Sequence, residues 1–404
     1  NPDQLLKWSI AQSTPGGGSG DAEADAANHP GIQQIAGDIS SGRRPDLADP
    51  ALYDALMGKS EAQMMREELS AALDTNRTES DRIQALDNFE MLIEQIDNAN
   101  NITSMKMWEP LLGLLTGSQE SHATSPAIQV ATLWIVGTAV QNNDKAQMTV
   151  LQFGFLKPII SLLVHGADGQ VRSKALYALS GILKHNAKAV LSFIELDGWN
   201  ALCGALLDPD VSLRRKSAFL INSLLLQDDS ASQSTQEEVP PARTGLSTAV
   251  APVPNSGPGE LPSAPLEQPP ATLADGIKHP SIVSQLVESR LLNTLIVSLL
   301  PASIQSSLPS ASLEGIDTAT SAGPDGDIEL RDDLDYAEKA SRACLTFVEK
   351  CQEAKENGKD ALQTIQQDQK QLVKTLLHAL LQEWNEGAIE QDADIKQRWQ
   401  ELGL

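Results

Sequence analysis

Four apolar segments recur along this chain at nearly constant spacing, and this constrains the possible folds more than any other feature. They are ALDNFEMLIEQIDNA from Ala85, ATLWIVGTAVQNN from Ala131, ALYALSGILKHN from Ala175 and AFLINSLLLQDD from Ala218, separated by 46, 44 and 43 residues. Apolar residues return at helical spacing within this texture, as in Ile83, Leu86, Phe89, Leu92, Ile93 and Ile96. Two of the segments carry a glycine six positions on, Gly137 and Gly181, where helices can approach closely. A shorter motif repeats as well: VLQF at 150–153 and VLSF at 190–193, each running into an apolar stretch, PIISLLV or WNALCGALL. Each unit is expected to hold two long helices and a short one. One such unit cannot bury its apolar face, whereas stacked units form a continuous core.

This period falls in the range of armadillo and HEAT repeats, and strand signals are almost absent up to residue 227. The expected fold is all-α: an armadillo-like right-handed solenoid with a disordered N-terminal segment and a disordered Pro/Ser/Ala-rich insertion. The expected boundaries are a short N-terminal helical motif at 1–12, a flexible Gly/Ala/Asp-rich linker at 13–48, armadillo repeats at 49–227, the insertion at 228–276, further repeat helices at 277–300, a loop at 301–327 and C-terminal helices at 328–404. The linker contains Gly16, Gly17 and Gly18, and three consecutive glycines carry too much backbone entropy for an ordered element. The insertion is nearly free of aromatic residues and buries too little surface to fold.

The net charge is −24 and the isoelectric point about 4.5. An acidic surface repels phosphate backbones and anionic lipid, so neither nucleic acid nor membrane is expected as a partner. Three cysteines, Cys203, Cys344 and Cys351, form no CxxC pair, and the last two are seven apart, on one helix face. They read as packing thiols in a reducing compartment. No long apolar leader segment follows the N-terminus, and the expected location is cytoplasmic, with a nuclear pool. No phosphate-binding glycine loop, HExxH or GxSxG occurs, and the histidines are scattered. No enzyme activity, cofactor or metal site is expected, and the chain is read as a monomer.

The functional surface is then the groove that such arrays present, lined by the last helix of each three-helix unit. Basic residues concentrate there in QVRSKALYALS and SLRRKSAFLI: Arg172, Lys174, Arg214, Arg215 and Lys216. Cations near a helix N-terminus oppose its dipole, which favours a partner-facing role. In DNFEMLIEQIDNANNI, Asn98, Asn100 and Asn101 read as a helix end, where asparagine tolerates left-handed geometry. Ala99 between them leaves room for close approach.

Several stretches resemble the fungal Fes-type cytosolic nucleotide exchange factors: LLKWSI with the Gly-rich stretch behind it, DNFEMLIEQIDNANNI, WEPLLGLL, IVGTAVQNN, VRSKALYALSGILKHN and RRKSAFLI. The resemblance covers residues 1–12 and 81–227 and is loose beyond 278. It implies a co-chaperone that binds the ATPase domain of a cytosolic 70-kDa heat-shock chaperone and promotes release of ADP and then of client, needing no catalytic residue. It implies chaperone contacts at Asn98, Ala99, Asn100, Asn101, Arg172, Lys174, Arg215 and Lys216, with Ala99→Arg blocking the partner without unfolding the chain. It further implies a client-release motif acting on the chaperone's substrate-binding side, formed here by Leu5, Leu6, Trp8 and Ile10. The alternative is an armadillo scaffold holding an extended peptide. Such grooves carry a ladder of Trp and Asn on successive inner helices, and Trp134 and Trp199 do not repeat at matching positions, while Trp108 lies in a different helix.

Overall fold

The computed structural model describes residues 59–117, 124–228, 279–313, 316 and 330–386. The motif at 1–12, the linker at 13–48 and, apart from Asp228, the insertion at 228–276 lie outside the described residues, as does the tail beyond 386. Two compact units divide the chain, 1–64 and 65–404, and of the first only residues 59–64 are described. Every regular element among the described residues is helical. The helices are α1 (Glu61–Leu73), α2 (Glu79–Ile93), α3 (Ile96–Ser104), α4 (Trp108–Thr116), α5 (Pro126–Val140), α6 (Asp144–Gln152), α7 (Leu156–His165), α8 (Gly169–Leu183), α9 (Ala187–Glu195), α10 (Gly198–Leu206) and α11 (Val211–Leu226). They continue with α12 (Ile282–Glu288), α13 (Leu291–Leu299), α14 (Ala302–Gln305), α15 (Ser310–Leu313), a 3-10 turn at Leu330–Asp332, α16 (Leu334–Glu356) and α17 (Gln367–Glu386).

These fall into armadillo-like repeats: α3–α5, α6–α8, α9–α11, and α12, α13 and α16. The third helices stack in chain order, α2 on α5, α5 on α8, α8 on α11 and α11 on α16. The second helices form a parallel row, α7, α10 and α13, with α17 packed on α13. Each of the first three repeats has two helices of 9–10 residues and one of 15–16, not two long and one short as the periodicity suggested. The difference comes from a sharp joint. Between first and second helix the chain passes through a left-handed residue: Lys106, Gly154, Asp197 and Arg290. At the three joints from Gly154 onward the helices bend by 82°, 85° and 74°. Only one of the four is glycine, so the composition gives no turn signal.

Caps at fixed positions set the register. Ser125, Asp168 and Asp210 cap the long helices by accepting amides of the first turn, and Asn143 and Asn186 cap α6 and α9. Between the rows runs one apolar core, including Trp108 against Phe155 with ring centroids 5.7 Å apart and Phe193 against Trp199 at 5.3 Å. Gly137 and Gly181 do mark close approach: a Cβ on Gly181 would stand 2.8 Å from a Val140 methyl, and one on Gly137 would overlap the Tyr177 ring.

The 277–300 segment and the long C-terminal helix, read separately in sequence, belong to one repeat. The segment is two helices, α12 and α13, and α16 is their third. α16 begins at Leu334 rather than near 327 because Asp333 caps it, and the 301–327 loop contains α14 and α15. Asp228 stands 18 residues after the cap Asp210, as Asn143 stands after Ser125 and Asn186 after Asp168. Its Oδ2 accepts a first-turn amide of α12, that of Val283 at 3.1 Å, 55 residues on, beside the cap Ser281, which accepts the amide of Ser284. The insertion therefore enters between Asp228 and the helix whose first turn it binds. Removing residues 229–280 joins Asp228 to Ser281 and restores the cap-to-amide spacing of three seen at Asn143 and Asn186. That deletion is expected to leave helicity and the urea midpoint unchanged; a clear drop in either would make the segment part of the fold.

Candidate functional site

Third helices α8 and α11, with Gln141 and Asn142 just past the end of α5, line a cleft of about 590 Å³. Their caps give a common register. Nine residues after Ser125, Asp168 and Asp210 stand Trp134, Tyr177 and Phe219, an aromatic on each successive helix. Six residues after Asp168 and Asp210 stand Lys174 and Lys216. This is not the ladder of Trp and Asn whose absence the sequence indicated, but a row of three different aromatics in one register. Matching residue types at a fixed period overlooked it, because the repeat length differs by one residue between the two intervals; counting from the capping residues finds it.

The groups in this cleft are tightly placed. The Lys174 ammonium lies 3.4 Å from the Trp134 ring centroid and 5.4 Å from that of Tyr177, a cation–π contact worth about 0.5–2 kcal/mol. Burial and then the charge of Lys216 hold the Lys174 pKa below its ordinary value, with Glu90 opposing them. Lys216 Nζ donates to Ser173 Oγ at 2.9 Å and Lys184 Nζ to Asn142 Oδ1 at 3.3 Å. The Tyr177 hydroxyl accepts from Gln141 Nε2. Trp134 and Phe219 are 41% and 60% exposed, so the chain leaves two large apolar faces on its surface here.

The other sequence candidates divide. Arg172 is taken up internally: Nε and Nη2 donate to both oxygens of Asp208 at 2.7 and 2.9 Å, and Nη1 donates to the Gly166 carbonyl at 2.8 Å. It joins the start of α8 to the turn before α11, and its side chain is only 15% exposed. Arg214 is buried and donates to the carbonyl of Asp208. Arg215 forks onto Asp333 at 2.7–3.1 Å and approaches Asp335 at 3.3 Å, tying α11 to α16. These arginines do stand at helix N-termini, but each is answered there by a carboxylate or carbonyl of its own chain. Only Lys174 and Lys216 of the basic group face the cleft.

The asparagine run is not a helix end. α2 stops at Ile93, and Asp97 to Asn101 lie inside α3. Asn98 is buried and its Nδ2 donates to the Leu92 carbonyl at 2.8 Å, pinning the joint between the two helices. Ala99 is 3% exposed, within the core. Hence Ala99→Arg does not isolate a contact, because the guanidinium has no room without displacing neighbours. Asn100 is half-buried with its Oδ1 lacking a hydrogen-bond partner, and Asn101 is exposed. Leu5, Leu6, Trp8 and Ile10 lie outside the described residues. Among the described residues, no group of three or more His, Cys, Asp or Glu is placed to hold a metal ion.

Comparison with known proteins gives a consistent result. A family model described as nucleotide exchange factor Fes1 matches residues 3–102, and one described as the SIL1/FES1/HPBP1 C-terminal domain matches residues 98–245. A protein of Mycosarcoma maydis described as Hsp70 nucleotide exchange factor FES1 is 49% identical over 405 residues, spanning 100% of this chain and 95% of that one. The proteins of that description from Cryptococcus neoformans and Saccharomyces cerevisiae are 36% and 35% identical over 53% and 51% of this chain, covering 56% and 63% of their own lengths. Among solved structures, a designed armadillo repeat protein in complex with the peptide (KR)4 aligns over 80% of this chain and 100% of its own, at 13% identity and a TM-score of 0.43, too distant to bear on the cleft.

Proposed function

Because this chain belongs to the Fes1 family of nucleotide exchange factors, we infer that it is an exchange factor for a 70-kDa heat-shock chaperone, promoting loss of ADP so that ATP binds and client is released. The full-length likeness to the Mycosarcoma maydis protein carries this reading. In this reading the armadillo-like stack grips the ATPase domain along the α8–α11 cleft, through Lys174 and Lys216 with Phe219. The cleft supports that assignment because it presents the exposed Phe219 ring and ammonium groups with no aspartate or glutamate among its lining residues.

The energetics need no chemical step. The chain binds the open conformer of the ATPase domain better than the ADP-closed one. By linkage it weakens ADP by the factor by which ADP weakens the chain, and couplings of this kind are about 1–3 kcal/mol, or roughly 5–150-fold. The test is stopped-flow release of a fluorescent ADP analogue from the chaperone. Dose-dependent acceleration is expected. A stable complex that leaves the release rate untouched would overturn the exchange reading.

The aromatic ladder favours a second reading, a scaffold that seats an extended segment on Trp134, Tyr177 and Phe219. The same assay separates the two, since a scaffold binds without speeding release.

A further inference from the structure

The chain carries 54 acidic and 30 basic residues, and among the described residues several partly buried cations are answered by its own carboxylates. Arg172 has Asp208, Arg215 has Asp333, Arg331 has Glu383 and Lys370 has Asp360. The cleft departs from that rule. Lys174, Lys184 and Lys216 line it, and no aspartate or glutamate is among its lining residues. Each ammonium is positioned by a neutral group instead: the Trp134 ring, the Asn142 amide and the Ser173 hydroxyl. The nearest acid acting on Lys174 is Glu90, which already accepts from Thr138 Oγ1 at 2.6 Å. Lys174 and Lys216 repel one another, and a counter-charge arriving from outside would relieve that cost.

Resting on the exchange reading, we propose that the cleft seats an acidic element of the chaperone's ATPase domain, with carboxylates on Lys174 and Lys216 and an apolar side chain against Phe219. Lys174 and Lys216 occupy the same register on adjacent helices. The two carboxylates they take are therefore separated by about one interaxial spacing, roughly 8–10 Å. The cleft selects by sign as well as by shape, because a basic element would meet three uncompensated ammonium groups.

The test titrates the full chain, and its Lys174→Glu/Lys216→Glu, Lys174→Gln/Lys216→Gln and Lys174→Arg/Lys216→Arg variants, against the ATPase domain, with ADP release followed in parallel. The glutamate pair is expected to weaken binding at least about 10-fold and the glutamine pair by less. The arginine pair stays within about threefold of wild type. Both lysines face the cleft, and circular dichroism checks that each variant folds. A second probe is a fluorescein-labelled Glu-Glu-Leu-Glu-Glu-Leu peptide, expected to bind the wild-type chain in preference to its Lys-Lys-Leu-Lys-Lys-Leu counterpart and to lose binding with the glutamate pair. If wild type accelerates ADP release and the glutamate pair does so at the same concentration, the acidic-element proposal falls and the exchange reading stands. If wild type leaves release unchanged yet binds the acidic peptide through these lysines, the exchange reading falls and the chemistry of the cleft stands.

Discussion

Replacing Arg172 with alanine is expected to destabilise the chain by about 3 kcal/mol while leaving exchange per folded molecule unchanged. The Arg172–Asp208 pair is bidentate, and the two side chains are 15% and 10% exposed. Removing one member of such a pair strands the other charge in a poorly solvated site, and breaking buried pairs costs roughly 3–5 kcal/mol. The Gly166 carbonyl loses its donor in the same step. Part of the cost is specific to the stranded charge, so Arg172→Met with Asp208→Asn should recover a good share of it; the asparagine can still accept the amide of Asp210 that Asp208 now binds at 2.8 Å. Urea unfolding gives the stability and stopped-flow ADP release the activity. An alanine variant of undiminished stability with impaired exchange would return Arg172 to the partner-facing surface where its sequence context put it.

Arg172 illustrates how far a linear pattern reaches. The repeat, its period and the all-helical class follow from apolar spacing, because burying a stripe on every helix is a condition the sequence must satisfy throughout. The close approach at Gly137 and Gly181 was legible for the same reason. What a side chain is paired with is a different matter. Asp208 lies 36 residues from Arg172 and Asp333 lies 118 from Arg215, and nothing local distinguishes a cation with such a partner from one awaiting an external one. Of the five basic residues in the two stretches, three proved internal and two line the cleft.

The asparagine run failed for a related reason. Its composition fits a cap, yet Asn98 spends its amide on the backbone of the preceding helix and Ala99 enters the core. A helix that stops at Ile93 and restarts at Ile96 breaks too briefly for residue preferences to register. The aromatic ladder was hidden differently. Trp, Tyr and Phe are interchangeable as flat apolar faces, so the position relative to the cap persists while residue identity drifts. Asp228 shows the same principle across the insertion, still binding a first-turn amide of a helix that begins more than 50 residues later and has Ser281 as its cap.

Phe219→Ala is expected to lower affinity for the chaperone by about 2 kcal/mol, or roughly 30-fold, with stability altered by less than about 0.5 kcal/mol. The ring is 60% exposed, so its removal leaves no cavity and little packing is lost. Its two neighbours in the ladder are committed internally, Trp134 beneath the Lys174 ammonium and Tyr177 in its bond with Gln141. Phe219 is therefore the rung with most surface to give, and an aromatic seated in a desolvated pocket is the kind of residue that dominates an interface. Phe219→Leu, which keeps an apolar side chain without the flat ring, should lose only part of the affinity. If the ring contributes to binding alone, raising the variant's concentration restores the full rate of ADP release. A rate that stays low at saturation would mean instead that Phe219 distinguishes the open from the closed ATPase domain, since only a contact differing between the two conformers alters the coupling to ADP. Wild-type affinity in the alanine variant would remove Phe219, and with it this end of the cleft, from the interface.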